Sequence, residues 1–119
     1  MSERKGGIIF LKVDGVQFSA KGNFTYNLGK PKREMIVGAD GIHGHKELPQ
    51  VGFIEGEITD NKDLSVEALM DMTDATVTLE LANGKIIVAK NAAYCHEGTC
   101  ETEEGKVPFR FEGEVEEVR

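Results

Sequence analysis

The softest metal-binding atoms in the sequence lie together near its end: Cys95-His96 and Cys100 fall within six residues. Three such ligands could begin a zinc site. A closed structural site needs four, the C-x-x-C spacing is missing, and His43 and His45 stand about fifty residues upstream. The plainer reading is two loop thiols and a surface histidine. A disulfide between Cys95 and Cys100 is sterically open to a bent loop. Glu112, Glu114 and Glu116 alternate with apolar residues. They read as the solvated face of a strand, not as an acid–base pair. No serine or cysteine sits in a motif that supplies both a base and an orienting third group. Gly41 and Gly44 lie in no G-x-x-x-x-G-K-[ST] loop, and no G-x-G-x-x-G links a strand to a helix. The expectation is therefore a chain with no catalytic site, no bound metal and no cofactor.

The elements that carry these residues are mostly strands. Ile8 to Val13 is apolar apart from Lys12, and Val16, Phe18 and Ala20 then alternate with polar residues. Asp14-Gly15 between the two runs is a hairpin signal, because both central positions need positive φ. Phe24, Tyr26 and Leu28 alternate after Gly22, and a short run covers Arg33 to Val37. From Gly38 to Gln50 there is no period, so a long loop is expected, of a length that is often functional. Val51 to Thr59 resumes as a strand. Its internal Gly52 and Gly56 suggest a bulge, a bend or the close approach of another backbone. Asp63 to Met72 is the one helix candidate, capped by Asp63 or Ser65, with Val66, Leu69 and Met70 on one face. Thr76 to Leu81 and Lys85 to Lys90 flank Asn83-Gly84 as a second tight hairpin. Tyr94 to Lys106 is a polar, acidic loop. Val107 to Val115 is the last strand, its start marked by Pro108 as an edge position or a bulge. The sum is a mainly β (α+β) domain over 1–119: six to eight strands in an antiparallel β-sandwich or small barrel, with one short α-helix over an end.

Composition narrows the function classes. The 119 residues fit one domain, and 39 % apolar with 29 % charged residues is a globular balance. The longest apolar runs, Ile8 to Leu11 and Ile86 to Ala89, fall far short of the roughly 20 residues of a membrane span. The N-terminus has no apolar segment of a secretory signal, so synthesis in a cytoplasm with reduced thiols is expected. A net charge of −7 argues against gripping nucleic acid, which needs basic stripes. The charge is also uneven: residues 1–50 carry +3 and residues 51–119 carry −10. In a polymer such a split helps one face of a subunit find a different face of the next.

Several segments, in order, resemble the tail tube protein family of Mu-like, contractile-tailed phages. They are Val13-Asp14-Gly15-Val16-Gln17-Phe18, Gly22-Asn23-Phe24-Thr25-Tyr26, Arg33-Glu34 and Val37-Gly38-Ala39-Asp40-Gly41-Ile42-His43-Gly44. Pro49-Gln50-Val51, Ile54-Glu55-Gly56-Glu57-Ile58-Thr59-Asp60, Ser65-Val66-Glu67-Ala68-Leu69 and Thr76 to Lys85 complete the likeness, which spans residues 8–119. Cys95 to Lys106 matches least.

The resemblance implies a structural subunit of the virion tail, made in the host bacterial cytoplasm. It implies hexameric rings that stack into a hollow tube, with sheath, tape measure and baseplate proteins as partners. DNA then passes without specific binding, and no membrane is involved. On that basis the loop at about 38–50 is expected to touch the next ring through Gly38, Asp40, Gly41, His43, Gly44, His45 and Lys46. Glu55, Glu57, Glu112 and Glu114 are expected to face the lumen, and the helix to lie outside the sheet, nearer the sheath. The rival readings are a small-molecule-binding β-barrel, a metal enzyme built on Cys95, His96 and Cys100, and another tube-fold tail component of the baseplate or terminator class.

Overall fold

A computed structural model describes residues 8–118. Nine strands and one helix occupy them: β1 (Ile8–Val13), β2 (Val16–Phe18), β3 (Ala20–Asn27), β4 (Lys32–Gly38), β5 (Gly41–Leu48), β6 (Gly52–Thr59), α1 (Val66–Met70), β7 (Ala75–Leu81), β8 (Ile86–Tyr94) and β9 (Lys106–Val118). Seven strands form one antiparallel sheet in the order β2-β1-β7-β8-β9-β6-β3, and β4 and β5 form a separate pair. The fold is mainly β with one short helix, as the period-2 pattern requires.

The strand order dictates the sheet's shape. β2 and β3 lie at opposite edges, yet only Ser19 separates them in sequence. A flat seven-stranded sheet would hold its edges roughly 29 Å apart, at about 4.8 Å per strand. One residue spans less than about 4 Å. The sheet therefore curls until its edges nearly meet, as a half-barrel with a corner at Ser19. The Ser19 carbonyl secures that corner by accepting from the Thr59 amide at 2.8 Å.

The concave face holds the core. Leu11, Val13, Ile54, Ile58, Val77, Leu79, Ile87, Val107, Phe109 and Phe111 are fully buried. The aromatic centre is stacked in steps: Phe109 and Phe111 centroids are 4.9 Å apart, Phe24 lies 5.7 Å from Phe109, and Tyr94 meets Phe111 edge-on at 5.6 Å. Gly56 makes room for this packing. A Cβ there would lie 2.6 Å from the Phe24 ring, so a side chain fills the space where the sequence suggests a bulge, a bend or another backbone.

The turns follow from their residues. Asp14 (φ +49°) and Gly15 (φ +84°) form the two-residue turn between the partners Val13 and Val16. The second hairpin differs from expectation. Its loop is Ala82-Asn83-Gly84, closed by the Leu81 amide on the Lys85 carbonyl at 2.9 Å, with positive φ at Gly84 alone. Asn83 serves through its side chain instead, its Oδ1 accepting from the Lys85 amide at 3.0 Å.

The helix is shorter than 63–72. Ser65 is the N-cap, its Oγ accepting from the Ala68 amide at 3.2 Å, and Asp71 ends it. Asn61 Oδ1 takes up the Asp63 amide at 2.9 Å, so residues 61–64 form a turn before the helix. Leu69 is buried in the same cluster as Leu11 and Ile58, so the helix leans on the apolar side of the curl.

The largest departure from the sequence reading is at 38–50. Gly41–Leu48 is not a loop but strand β5, paired with β4 through Lys32↔Leu48, Arg33↔Glu47, Glu34↔Lys46, Met35↔His45 and Val37↔Ile42. The hairpin stands off the body as an arm, and every β5 residue is exposed. The radius of gyration is 17.3 Å, against about 13.5 Å for a compact chain of this length, and the long axis reaches 62 Å.

Candidate assembly surfaces

The arm's composition is unusual for an exposed element. Met35, Ile36, Val37, Ile42 and Leu48 make up five of the eight large hydrophobics exposed among the described residues. Val37 is 72 % and Ile42 67 % exposed, and they are direct cross-strand partners, so they form one apolar knob near the tip. Gly38, Asp40, Gly41, His43, Gly44, His45 and Lys46 are all brought onto this arm. The His43 ring covers Gly38, where a Cβ would collide with it, and bonds Asp40 at 2.6 Å. Gly41 (φ +126°) and Gly44 (φ +108°) let β5 take backbone angles that a side chain resists. Arg33 pairs with Glu47 at 3.9 Å and Lys46 with Glu34 at 3.6 Å, both exposed. Each contributes little. The arm is held by its ladder and turn, with no buried residue of its own.

The root of the arm is packed backbone on backbone. Gly52 opens β6 opposite Gly113 of β9, and its Cβ would lie 2.9 Å from the Gly113 carbonyl oxygen. Gly29 (φ +75°) would set a Cβ 2.8 Å from the Gly52 amide nitrogen. The chain thus leaves and re-enters the body through a junction where only glycine fits.

Glu55, Glu57, Glu112 and Glu114 share one face of the sheet, the one opposite the core. Sequence reading places them together and misses what neutralises them. Arg110 lies between two of them, with Nη1 3.0 Å from Glu55 and Nε donating to Glu112 at 2.8 Å. Its guanidinium also stacks 4.1 Å over the Phe53 ring. Glu57 is 3.8 Å from the Lys106 ammonium, which also meets Glu104 at 2.6 Å. The hydrogen bond and charge of Glu104 hold Lys106 above its ordinary pKa, and Lys106 in turn holds Glu104 below its own. Glu114 accepts from Asn91 Nδ2 at 2.8 Å. The signal for Arg110 and Lys106 was present: on β9 they stand at even-numbered positions like Glu112 and Glu114, hence on the same face.

Cys95 and Cys100 are exposed thiols. The His96 Nδ1 accepts from the Gly98 amide at 3.0 Å, and Cys100 Sγ is 3.5 Å from the Gly98 carbonyl. Among the described residues no three His, Cys, Asp or Glu side chains converge as a metal would need. Gly98 lies over the helix, where a Cβ would touch the Met70 sulfur at 2.8 Å. The acidic loop therefore covers one side of α1. Behind it Tyr94 donates to the Pro108 carbonyl at 2.5 Å, and burial pushes its phenol up to about 12. The bond satisfies the Pro108 carbonyl at a point where β9 has a strand neighbour on one side only. β8 ends at Tyr94, opposite Phe111, so no strand asks Pro108 for a donor on that side.

A cleft of about 420 Å³ opens between α1 and the β2–β3 corner. Val16, Phe18, Leu64, Leu69 and Met72 line it, with Asn61, Asp63 and Ser65 among its polar residues.

No described helix is long and apolar enough to cross a membrane. No curated protein sequence matches the chain. A family model described as phage tail tube protein matches residues 2–117, nearly the whole length. A curled antiparallel sheet with a projecting apolar hairpin accords with that match, and the chain belongs to the phage tail tube protein family.

Proposed function

We propose that this chain is the repeating subunit of the inner tube of a contractile phage tail. Six copies close a ring, rings stack, and DNA passes through the lumen. The observation that carries the reading is the arm. Burying an exposed valine or isoleucine in a partner is worth roughly 1.5–3 kcal/mol each. A lone monomer has no reason to hold such residues in water at the end of a long hairpin. In a tube of stacked rings the arm has a use: contact with the next ring. The free edges of β2 and β3 supply the lateral contacts, each adding to a neighbour's sheet within the ring.

On this reading the face bearing Glu55, Glu57, Glu112 and Glu114 lines the lumen. Its carboxylates repel DNA phosphates, while Arg110 and Lys106 stay tied to carboxylates and do not grip them. Sheath, tape measure and baseplate proteins are the further partners, the helix side facing outward to the sheath. The subunit is structural, has no catalytic role and uses no cofactor. It is made in the host cytoplasm and ends in the virion tail.

Electron microscopy of the purified protein, with and without an arm truncation, tests this. Replacing residues 35–45 by Asn-Gly joins the partners Glu34 and Lys46 directly. Rings or tubes are expected from the intact chain, and isolated rings from the truncated one. Stacked tubes of normal length from the truncated chain would remove the arm's role. An intact chain that stays monomeric at millimolar concentration with added baseplate would remove the tube itself.

A further inference from the structure

The arm and the cleft lie at opposite poles of the same two strands. β3 and β6 pair from Ala20↔Ile58 at one end to Asn27↔Phe53 at the other. The arm departs beyond Asn27 and returns at Gly52. The cleft is walled by Ser19 and Thr59, just past the other end. An eight-residue strand separates the two by roughly 27 Å. Every β5 residue is exposed and none of residues 30–50 lines the cleft, so the arm does not fill the chain's own cleft. A surface at one pole and its complement at the other form a head-to-tail contact, which repeats without closing and builds a filament.

We infer that the Val37–Ile42 knob of one copy seats in the cleft between α1 and the β2–β3 corner of the copy in the next ring. This rests on the tube reading and names the surface that receives the arm. The fit is chemical as well as positional. The cleft offers Val16, Phe18 and Leu64 to the knob and has room for two aliphatic side chains. Charge contributes little at the knob: residues 60–74, which form the helix wall, carry five acids against Lys62 alone, but Lys30 and Lys32 lie at the root of the arm, the pairs Arg33–Glu47 and Lys46–Glu34 are internal to it, and Asp40 at the tip bonds His43. One knob in one cleft is a small contact. A ring presents one per subunit, and engagement of the first raises the effective concentration of the rest.

Cysteine trapping tests the inference. In a Cys95→Ser, Cys100→Ser background, one batch carries Ile42→Cys and another Ala68→Cys, on the helix wall of the cleft. The two are mixed, oxidised, and examined by non-reducing gel and by microscopy. A disulfide-linked dimer that needs both batches supports the inference, whether or not long tubes form. Tubes without that dimer overturn it and leave the tube reading intact. Neither tubes nor dimer overturns both. A second pair of variants gives an independent readout. Ile42→Asp, or Ala68→Trp filling the cleft, should raise the critical concentration for tube growth by about tenfold or more while the far-UV spectrum is unchanged. Unchanged tube growth with Ala68→Trp, or a small molecule retained in the cleft by native mass spectrometry, overturns the inference.

Discussion

Gly113→Ala should be among the most damaging single methyl additions in this chain. Gly113 lies where β8 bulges: the β8–β9 register shifts between Lys90 and Ala93, and Asn91 takes φ +50° to make the bulge. The bulged backbone presses on β9 at this residue. A Cβ there would stand 2.7 Å from the Lys90 carbonyl oxygen, 2.8 Å from Ala92 Cα and 3.0 Å from Ala92 Cβ. Two of these atoms are main chain and cannot rotate away. Ordinary contact begins at 3.4 Å, so β8 must retreat by 0.7 Å or break the ladder. Overpacking of this kind costs about 1–3 kcal/mol, and a backbone clash lies at the upper end. For a chain of this length about 2–3 kcal/mol lowers the melting temperature by roughly 8–12 °C. Gly15→Ala is the control. Nothing lies within 4 Å of its added methyl, and only φ +84° opposes it, at about 1 kcal/mol. Urea unfolding followed by circular dichroism, at a concentration where the midpoint no longer depends on protein concentration, gives both values. A Gly113→Ala variant no less stable than Gly15→Ala would refute the reasoning.

Three further outcomes are expected. Tyr94→Phe should cost about 1 kcal/mol through loss of the bond to Pro108. It should also remove an alkaline limb. Below the usual phenol range Tyr94 is neutral folded and unfolded; as pH rises from 10 to about 12 only the unfolded chain ionises, so stability falls across that window. Urea midpoints at about pH 9 and about pH 11.5 compare the two proteins. Arg110→Ala should destabilise by about 1–2 kcal/mol, more than Glu55→Gln, because it loses the stack on Phe53 and leaves Glu55 and Glu112 facing each other; paired thermal melts decide it. Replacing Glu55, Glu57, Glu112 and Glu114 together by Gln should slow DNA ejection, and an unchanged rate leaves lumenal charge without a role.

Sequence reading was strongest where a residue's local chemistry decides its conformation. Asp14-Gly15 can do little except turn, and Gly52 inside a strand suggested the close approach of another backbone, which proved to be Gly113, whereas Gly56 meets the Phe24 ring instead. It was weakest where pairing alone makes structure. β5 contains Gly41 and Gly44, two histidines and Lys46, and buries nothing, so it has no alternation to detect. It is a strand because β4 lies beside it. The same limit hid the root of the arm. Gly29, Gly52 and Gly113 are far apart in the chain, and only the fold shows that each excludes a methyl on account of another strand. The functional surfaces followed the same division. The acidic face was legible from period 2, whereas Arg110 bridging Glu55 and Glu112 depends on the register of β6 against β9.

That register also changes what the uneven charge can mean. A split of +3 and −10 along the chain suggests a basic surface meeting an acidic one. In the folded chain the arm's charges largely pair within the arm, and three of the four face glutamates have a cation within 4 Å. Long-range attraction between such surfaces is weak and screened by salt. On the proposed reading, selectivity must then come from shape. β2 is three residues long, and β3 is interrupted by Gly22 at φ +74° and a register shift between Lys21 and Thr25. Both edges are poor templates for indiscriminate pairing. A subunit with an unguarded edge would add copies without limit in the cytoplasm. One whose edges accept only a neighbour of matching twist, and whose arm is satisfied only by the far pole of another copy, assembles when both contacts are offered together, as they are on an existing ring.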